Sequence, residues 1–393
     1  MKFIPVLSFL LSACLVQAQW VEVPSGTTSD LYDVHFPSLT TGYAVGYYGT
    51  TLKTTDGGAT WSALNLGTNA TLEAVCFLDN QHGFVVGEDG MRRTTDGGLN
   101  WTAVALPTAE PLADVEFISP LTGFACGEGG VILKTTDGGN TWALKPSGSG
   151  RTLVCIQFPT PTTGYAVAKG YNWEFLKTTD GGETWNKQNI QPILNTSNLE
   201  AVWFADANTG LIAGWYISAL IKTSDGGLSW TDADTQGNSN LYDFDFPTSA
   251  IGYAVGWHGQ IRKTTDGGNT WTDESLPDAE VLYAVDFADA DHGVIVGNKG
   301  LILKTGGSVA VQQPETAQNL RLFPNPSHGV IELPGHVGDS RLELYNLQGE
   351  LVLSRELNGQ TARIETPHLP AGVYSYRLLA PGGVAGVGKW VKY

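Results

Sequence analysis

The sequence predicts an all-β protein: a seven-bladed β-propeller of four-stranded blades, followed by a small Ig-like β-sandwich. A nine-residue motif, KTTDGGATW at 53–61, recurs five times with its tryptophans 40 to 45 residues apart, which is the period of one propeller blade. Each period contains four short strand-like runs separated by glycine-rich turns. Beyond residue 307 the repeat stops, and alternating strands with Gly and Pro turns predict the second fold.

The repeated motif predicts one strand, a tight turn and the next strand. An aspartate at the head of a turn accepts hydrogen bonds from backbone N–H groups one or two residues on, and paired glycines supply positive φ angles. Threonine before the turn favours a strand, and tryptophan after it is a large apolar residue for the core. We therefore assign a structural role to the turn aspartates Asp56, Asp96, Asp137, Asp180, Asp225 and Asp266.

Each period opens with an LxxVxF run, 31–36 in the first copy, and continues with a glycine-bounded run such as GYAVG. Together with LKTT and the residues after the tryptophan, these runs make four strands. Four antiparallel strands cannot bury both apolar faces alone. The blades must therefore stack on one another, and closing the ring removes their exposed edges.

The two ends of the repeat region complement each other. Trp20 lies 41 residues before Trp61 without a preceding Asp-Gly-Gly turn, whereas the seventh copy, KTGG at 304–307, has a strand but no tryptophan after it. We expect the segment from Trp20 to Val23 to supply the outermost strand of the last blade. This closure gives seven blades and places both ends of the propeller chain in one sheet.

These residues also resemble known families. The Asp-Gly-Gly turns resemble the Asp-box of sialidases, sortilin-type receptors and oligoxyloglucan hydrolases. GYAVG followed by LKTTDGG is most similar to the propellers of photosystem II assembly factors, over residues 20–307. The resemblance implies the fold and structural Asp-boxes. It implies no particular activity, because one scaffold hosts unrelated functions.

The N-terminal residues 1–18 predict a secretory signal peptide, with Lys2, an apolar run and the small-residue cleavage site Val16-Gln17-Ala18. In an alternative interpretation, residues 11–14 form a bacterial lipobox that would lipidate Cys14. The propeller is assigned to residues 19–307. Residues 308–319 lack aromatic side chains and periodicity, so we expect a linker.

The last stretch, residues 320–393, resembles the type A C-terminal sorting domain of the type IX (Por) secretion system. The matching landmarks, in family order, are Phe323-Pro324-Asn325-Pro326 with Gly329, Leu344-Tyr345-Asn346 before Gly349, the segment from Leu369 to Tyr374, and the terminal strand with Lys389. The resemblance implies the type IX machinery as a partner and a protein that is secreted or held on the outer-membrane surface of a Gram-negative bacterium. A lipid at Cys14 conflicts with that route.

Composition and net charge limit the kinds of partner and cofactor that we expect. The chain has 22 basic and 39 acidic residues, a net charge of −17, which argues against nucleic acid or an anionic membrane as a partner of the propeller. Cys76, Cys126 and Cys155 replace strand residues of the repeat, so we expect buried apolar thiols. Their spacing matches no zinc pattern. We expect a monomer without metal or cofactor.

Ligand binding is expected on the face opposite the Asp-Gly-Gly turns, because loops held by a rigid frame carry function. Aromatic side chains at loop tips stack readily on sugar rings or peptide side chains. The predicted ligand-binding residues, in blades four to six, are Tyr171, Trp173, Trp215, Tyr216, Trp257 and His258. The sequence thus predicts a non-catalytic propeller that binds an extracellular glycan or protein, although these rings could equally cap blade edges.

The sequence also fits two other functions. A glycoside hydrolase needs two carboxylates about 5 to 9.5 Å apart. Its candidates are Asp33, Asp114 and Asp243 at the third position of LxxVxF, and Glu116, Asp245 and Asp286 at the fifth. The same acids equally fit solvated groups that line the central channel. The other alternative is an interaction module that scaffolds envelope proteins.

Overall fold

The computed structural model describes residues 20–170, 174–188, 196–216, 220–233, 240–276, 281–306, 330–332, 339–346, 351–358, 363–380 and 383–392. The chain divides into two compact units, Met1–Ser308 and Val309–Tyr393. The predicted signal peptide, the lipobox cysteine Cys14 and the predicted linker at 308–319 lie outside the described residues.

The first unit is a ring of seven four-stranded antiparallel sheets, as predicted. Blade 1 contains β2 Leu31–His35, β3 Gly42–Gly46, β4 Thr51–Thr54 and β5 Ser62–Ala63; blade 2 contains β6 Leu72–Phe77, β7 Gly83–Gly87, β8 Gly90–Thr94 and β9 Thr102–Ala103. Blade 3 contains β10 Leu112–Phe117, β11 Gly123–Gly127, β12 Ile132–Thr135 and β13 Ala143–Lys145; blade 4 contains β14 Leu153–Gln157, β15 Gly164–Ala168, β16 Glu174–Thr178 and β17 Asn186–Gln188.

The remaining blades continue the same order from the inner to the outer strand. Blade 5 contains β18 Thr196–Phe204, β19 Gly210–Tyr216, β20 Leu220–Thr223 and β21 Thr231–Asp232; blade 6 contains β22 Leu241–Asp245, β23 Gly252–Gly256, β24 Ile261–Thr264 and β25 Thr272–Asp273. Blade 7 contains β26 Leu282–Asp289, β27 His292–Gly297, β28 Ile302–Thr305 and, from the other end of the chain, β1 Trp20–Glu22. Among the described residues, short 3₁₀ turns follow three of the second strands, at Tyr47–Gly49, Glu128–Gly130 and Asn298–Gly300.

The predicted closure of the ring is confirmed. β1 pairs antiparallel with β28, with Trp20 opposite Thr305, and the backbone N–H of Val23 donates to the carbonyl of Ile302 at 2.9 Å. The inner strand of blade 7 packs against the inner strand of blade 1. The first strand of the chain therefore completes the last blade and leaves the ring without a gap.

Aromatic side chains between blades explain why the same residue types recur. The phenylalanine that ends each LxxVxF run covers the glycine that begins the second strand; a Cβ at Gly83 would lie 2.5 Å from the Phe77 ring. On its other side Phe77 stacks on Tyr43 of the previous blade, with centroids 3.6 Å apart. Trp101 meets Phe77 edge to face at 6.0 Å and 88°. Each motif tryptophan thus closes a cluster shared by two blades.

The Asp-Gly-Gly turn differs in detail from the predicted one. In blade 1 the hydroxyl of Thr54, not the aspartate, accepts the backbone N–H groups of Asp56 and Gly58. Asp56 instead accepts the Thr54 hydroxyl at 2.8 Å and both the backbone N–H and the hydroxyl of Thr60, four residues on. The buried threonine supplies the acceptor that the inward N–H groups need, and the exposed carboxylate ties down the outer half of the turn.

The lysine that begins the motif links neighbouring blades. Lys53 Nζ donates to the carbonyl of Gly97, in the turn of the next blade, at 2.7 Å. The same bond recurs from Lys134 to Gly181, from Lys177 to Gly226 and from Lys222 to Gly267, at 2.6 to 2.8 Å. The repeat therefore encodes contacts between blades as well as the strands within them.

In every blade the inner strand contains a β-bulge at the second position of the LxxVxF run. In blade 1, Leu31 pairs with Gly46 but Asp33 pairs with Val45, so that Tyr32 is the extra residue. Gly46 allows this geometry because a Cβ there would lie 2.0 Å from the carbonyl oxygen of Asp30. The same shift occurs in all seven blades. Bulges redirect a side chain away from the regular alternation.

The C-terminal unit is also all β among its described residues. Its six strands are β29 Val330–Glu332, β30 Asp339–Tyr345, β31 Leu351–Asn358, β32 Arg363–Glu365, β33 Gly372–Ala380 and β34 Gly383–Lys392. They form a four-stranded sheet in the order β31-β30-β33-β34 and a two-stranded sheet, β29-β32. A separate core including Leu342, Leu344 and Tyr376 holds this unit together. The Ig-like arrangement stays a prediction.

Candidate functional site

The two faces of the propeller are distinguished by their turns. The N–H of Gly57, in the Asp-Gly-Gly turn, donates to the carbonyl of Thr40, in the turn between the first two strands, at 2.8 Å. Both turns therefore lie on one face. The opposite face, here called the upper face, contains the turns after the second strands and the segments that lead into the inner strands. This assignment agrees with the one predicted from the repeat.

The bulged residues form a ring where the inner strands begin at the upper face. In blade order they are Tyr32, Glu73, Ala113, Val154, Glu200, Tyr242 and Tyr283. Inner strands surround the axis of a propeller, so these side chains lie around the upper mouth of its channel. Three consecutive blades of the closed ring, blades 6, 7 and 1, contribute tyrosines.

A continuous row of six rings runs from these tyrosines to the neighbouring loops. The Tyr32 and Tyr283 centroids are 5.1 Å apart, Tyr283 and Tyr242 5.7 Å, and Tyr242 and Trp215 6.0 Å. Trp215 and Trp257 follow at 6.4 Å, and Trp257 stacks on His258 at 4.8 Å. We call this row, Tyr32, Tyr283, Tyr242, Trp215, Trp257 and His258, the aromatic arc. It spans blades 5, 6, 7 and 1.

The structure brings together three of the residues singled out as a binding surface, namely Trp215, Trp257 and His258. Trp257 is 41% exposed, and His258 adopts a left-handed conformation with φ of 54° at the turn. Tyr171 and Trp173 lie outside the described residues, as does the side chain of Tyr216.

The three arc tyrosines, Tyr32, Tyr242 and Tyr283, are not among the residues predicted from the sequence. A signal for them was present, because all three occupy the second position of LxxVxF, where the other repeats have Glu, Ala or Val. Regular strand alternation suggested no special orientation for that position. The bulge supplies it.

Acidic side chains lie beside the arc. Burial raises the pKa of Tyr32 to about 12, and the nearby charges of Asp30 and Glu73 add to the shift. Burial likewise raises the pKa of Tyr242 to about 12, with a further contribution from Glu200. The arc tyrosines are therefore neutral over the physiological pH range and lie within reach of several carboxylates.

The charge of one lysine acts on both bulge glutamates. Burial raises the pKa values of Glu73 and Glu200, and the positive charge of Lys169 opposes the shift in both. Lys169 follows the second strand of blade 4 and is exposed. Among the described residues, the buried Oε1 atom of Glu200 has no hydrogen-bond partner.

The third-position acids of the inner strands hold neighbouring blades together. One carboxylate oxygen of each acid accepts a hydrogen bond from a backbone N–H of the following blade. The bonds run from Val75 to Asp33 at 2.7 Å, from Ile156 to Asp114 at 2.8 Å and from Val285 to Asp243 at 2.9 Å. In Asp33 the other oxygen accepts the N–H of Val34 at 2.8 Å, so both oxygens are engaged.

The fifth-position residues do the same one layer below. Glu116 accepts the N–H of Phe158 at 2.9 Å, and Asp245 accepts that of Phe287 at 2.7 Å. Asp286 accepts the N–H of Phe36 at 2.6 Å, which joins blade 7 to blade 1. His35 bonds to the carbonyl of Phe77, and Gln157 bonds to both backbone groups of Phe204.

Desolvation has the largest effect on the pKa values of the third- and fifth-position acids. These acids keep some accessible surface toward the channel, yet protein atoms surround them, and burial raises their pKa values against the effect of the donated N–H groups. The pKa reaches about 6 for Asp114, about 7 for Asp286 and about 8 for Asp243. Repulsion from Asp243 and Asp114 adds to the shift in Asp33.

The three cysteines are free thiols. Cys126 is fully buried, and its Sγ donates to the carbonyl of Leu153 at 3.5 Å. Cys155 is partly buried at a third position and contacts the carbonyl of Val202 at 3.7 Å. Burial raises the pKa of Cys76 to about 12. Cys155 therefore links two blades, as the third-position acids do.

The described residues contain neither a cluster of metal-ligating side chains nor a membrane-spanning helix. Within them, no group of three or more His, Cys, Asp or Glu side chains has an arrangement that would hold a metal ion. The same part of the chain contains no helix with the length and hydrophobicity to cross a bilayer.

Solved structures share the propeller fold. A structure described as YCF48 from Cyanidioschyzon merolae superposes with a TM-score of 0.60 at 24% identity, covering 73% of this chain and 98% of that one. YCF48 bound to D1 peptide gives a TM-score of 0.62 at 22% identity, covering 75% and 99%. The GH74 enzyme of Niastella koreensis gives 0.59 at 14%, covering 94% and 69%. At these identities the likeness shows the fold alone.

Two sequence families match the chain, one in each of its two units. No curated protein is significantly similar to the chain. Residues 321–391 match the secretion system C-terminal sorting domain, which indicates export by the type IX secretion machinery to the cell surface or the medium. Residues 12–111, 99–152 and 228–308, together more than half of the chain, match the family described as photosynthesis system II assembly factor YCF48. With its repeat and its seven-bladed ring, the chain belongs to this family of β-propellers.

Proposed function

We propose that this exported propeller is a non-catalytic, monomeric binding protein that holds an extracellular glycan or polypeptide on its upper face. The observation that carries the proposal is the aromatic arc. Six rings in mutual contact border the mouth of the channel on a rigid frame, and Trp257 remains 41% exposed. A contiguous apolar patch at the surface marks an interaction site, whereas single exposed apolar residues are ordinary.

A related propeller supports a polypeptide ligand. The solved YCF48 structure described as bound to D1 peptide shares the fold of this chain. A peptide has both backbone polar groups and side chains that can meet a row of Tyr and Trp rings, each of which combines an apolar body with a polar tip. Tyr171, Trp173 and Tyr216 remain predicted members of the same surface.

A single-propeller glycoside hydrolase has weaker support. The fold is shared with a GH74 enzyme. The carboxylates that such an enzyme would use, however, already accept backbone N–H groups between blades, and Asp33 engages both of its oxygens. A general acid or nucleophile must be able to face the substrate. We therefore assign these acids to the frame of the ring.

The test is ligand retention by single variants of the full chain. Glycan and peptide arrays identify ligands, and Trp215→Ala and Trp257→Ala are expected to lower retention at least several-fold with an unchanged circular dichroism spectrum. Leu228→Ala, at a 76% exposed position on the opposite face, is the matched control. Unchanged retention in both tryptophan variants would refute the arc as the site. Release of reducing sugar from bound glycans would favour the hydrolase.

A further inference from the structure

Resting on the proposed function, we infer a ligand class for the upper face. The aromatic arc and the bulge glutamates Glu73 and Glu200 form a receptor for a cationic side chain, Lys or Arg, presented by an extended polypeptide. The angles between the rings support this occupant over a neutral glycan, and the acidic side chains beside the tyrosines and the charge of Lys169 agree with it.

Trp215 and the three arc tyrosines meet edge to face, whereas Trp257 stacks on Trp215 and on His258. Trp215 and Tyr242 meet at 87°, Tyr242 and Tyr283 at 63°, and Tyr283 and Tyr32 at 78°. A sugar ring stacks on one open aromatic face, and an edge-to-face neighbour obstructs a continuous platform. Rings at steep angles to one another can instead present more than one negative face to a small group, which is how aromatic cages hold ammonium cations.

Carboxylates lie at both ends of the tyrosine row. Asp30 and Glu73 act on Tyr32 at one end, and Glu200 acts on Tyr242 at the other. A cation placed against these rings therefore also has negative charge within reach, which strengthens cation–π attraction at a partly desolvated site. The net charge of the chain, −17, favours the approach of a basic segment.

The positive charge of Lys169 already acts on the bulge glutamates. Its charge acts on both Glu73 and Glu200, although they belong to blades 2 and 5. A ligand cation would replace or displace this exposed ammonium group. Glu200 retains a buried Oε1 atom without a partner among the described residues, so it has hydrogen-bonding capacity to offer. Lys169 therefore competes with the ligand for the two glutamates. Removing its charge should strengthen binding, whereas removing the charge of either glutamate should weaken it.

The probe is a fluorescent decapeptide of alternating lysine and glycine, titrated onto the full-length mature protein at near-physiological salt and followed by anisotropy. We expect Glu200→Gln and Glu73→Gln to weaken binding by about tenfold or less, the effect of one close charge. Lys169→Gln should tighten it severalfold. Acetylation of the peptide lysines, which removes the charge but keeps the chain, should abolish binding.

The control for net charge is Asp291→Asn. This exposed residue lies in the turn between β26 and β27, on the opposite face, and its replacement changes the protein charge by the same unit. Equal weakening by Asp291→Asn and Glu200→Gln, equal binding of the acetylated peptide, or weaker binding after Lys169→Gln would each overturn the inference.

Failure of this inference is distinguishable from failure of the proposed function. If neutral glycans or neutral peptides bind and Trp257→Ala removes them while the lysine peptide does not bind, the arc is a site for a different ligand. If no ligand of any charge responds to Trp215→Ala or Trp257→Ala, both proposals fail.

Discussion

Trp20 meets Phe287 edge to face, with ring centroids 6.0 Å apart and an interplanar angle of 81°. Trp101 makes the same contact with Phe77, at 6.0 Å and 88°, inside a single repeat. The first described residue of the chain therefore takes the place of the tryptophan that the seventh motif lacks. A contact across 267 positions of sequence reproduces one that other blades make locally.

Replacing Trp20 by alanine should open the ring at this blade. Trp20 is 7% exposed, and loss of a buried tryptophan costs about 3 to 5 kcal/mol of the free energy of unfolding. The measurement is denaturant unfolding of the propeller followed by fluorescence. Val21→Ala, at a 47% exposed neighbour on the same strand, should change stability by about 0.5 kcal/mol or less. Equal losses in the two variants would contradict the role of Trp20.

Replacing Thr135 by valine should destabilise blade 3. Its Oγ1 accepts the buried N–H of Gly139 at 3.0 Å and donates to Asp137 at 2.8 Å. Valine keeps the shape but leaves the N–H unsatisfied, at a cost of about 1 to 3 kcal/mol. Thr102→Val, at an exposed position whose hydroxyl bonds only weakly to Arg93 at 3.5 Å, is the matched control for thermal unfolding. A wild-type melting temperature in the Thr135 variant would disprove the assignment of the threonine as the turn acceptor.

Stability should decline as the pH rises from about 4 to 8. The folded-state pKa values of Asp114, Asp286 and Asp243, about 6, 7 and 8, lie above the unfolded value, so the folded state binds more protons in this range. Their contribution to the free energy of unfolding is complete below the unfolded-state pKa, and it is lost as the pH rises through the folded-state pKa values. Melting temperatures across this range, for wild type and Asp243→Asn, test the sign. The variant should show a flatter decline.

The turn aspartates should have the opposite effect on the pH dependence of stability. Hydrogen bonds from Thr60 lower the pKa of Asp56 to about 2, and equivalent bonds do the same for Asp137 and Asp225. Their contribution is present above the unfolded pKa and is lost as the pH falls toward 2. We therefore expect maximal stability in mildly acidic solution. A stability maximum above pH 8 in the same melting experiment would refute this balance.

The three cysteines beyond Trp20 should react slowly in the folded protein. Burial raises the pKa of all three thiols, to about 12 for Cys76, so little thiolate exists at pH 8. Titration with a disulfide reagent should modify them fully only in denaturant. Rapid modification of Cys76 or Cys155 in the native protein would show that the channel admits reagents to these partly exposed groups.

Repetition made most of the ring predictable. The spacing of Trp61 and its successors gave the blade period, and the unmatched Trp20 and KTGG segment gave the closure. The role of Thr54 was not predictable in the same way. Both Thr54 and Asp56 are turn acceptors by residue type, and only their relative burial decides which one receives the inward N–H groups.

The candidate site was predictable only in part. Trp215, Trp257 and His258 stand out because they are aromatic at loop positions. Tyr32 and Tyr283 do not, because a residue inside a strand is expected to follow the alternation of its neighbours. The bulge beside Gly46 breaks that alternation.

The blade period, the number of blades and the sorting domain were predictable from the amino-acid sequence, because these depend on local motifs that recur or match in order. Which side chains meet between the first and last blades is known only from the folded ring. Asp286 bonds to Phe36 and Tyr283 packs against Tyr32 only once the ring has closed. The physical reason is that these contacts join the first and last blades, and pairs so distant in sequence have no local pattern to mark them.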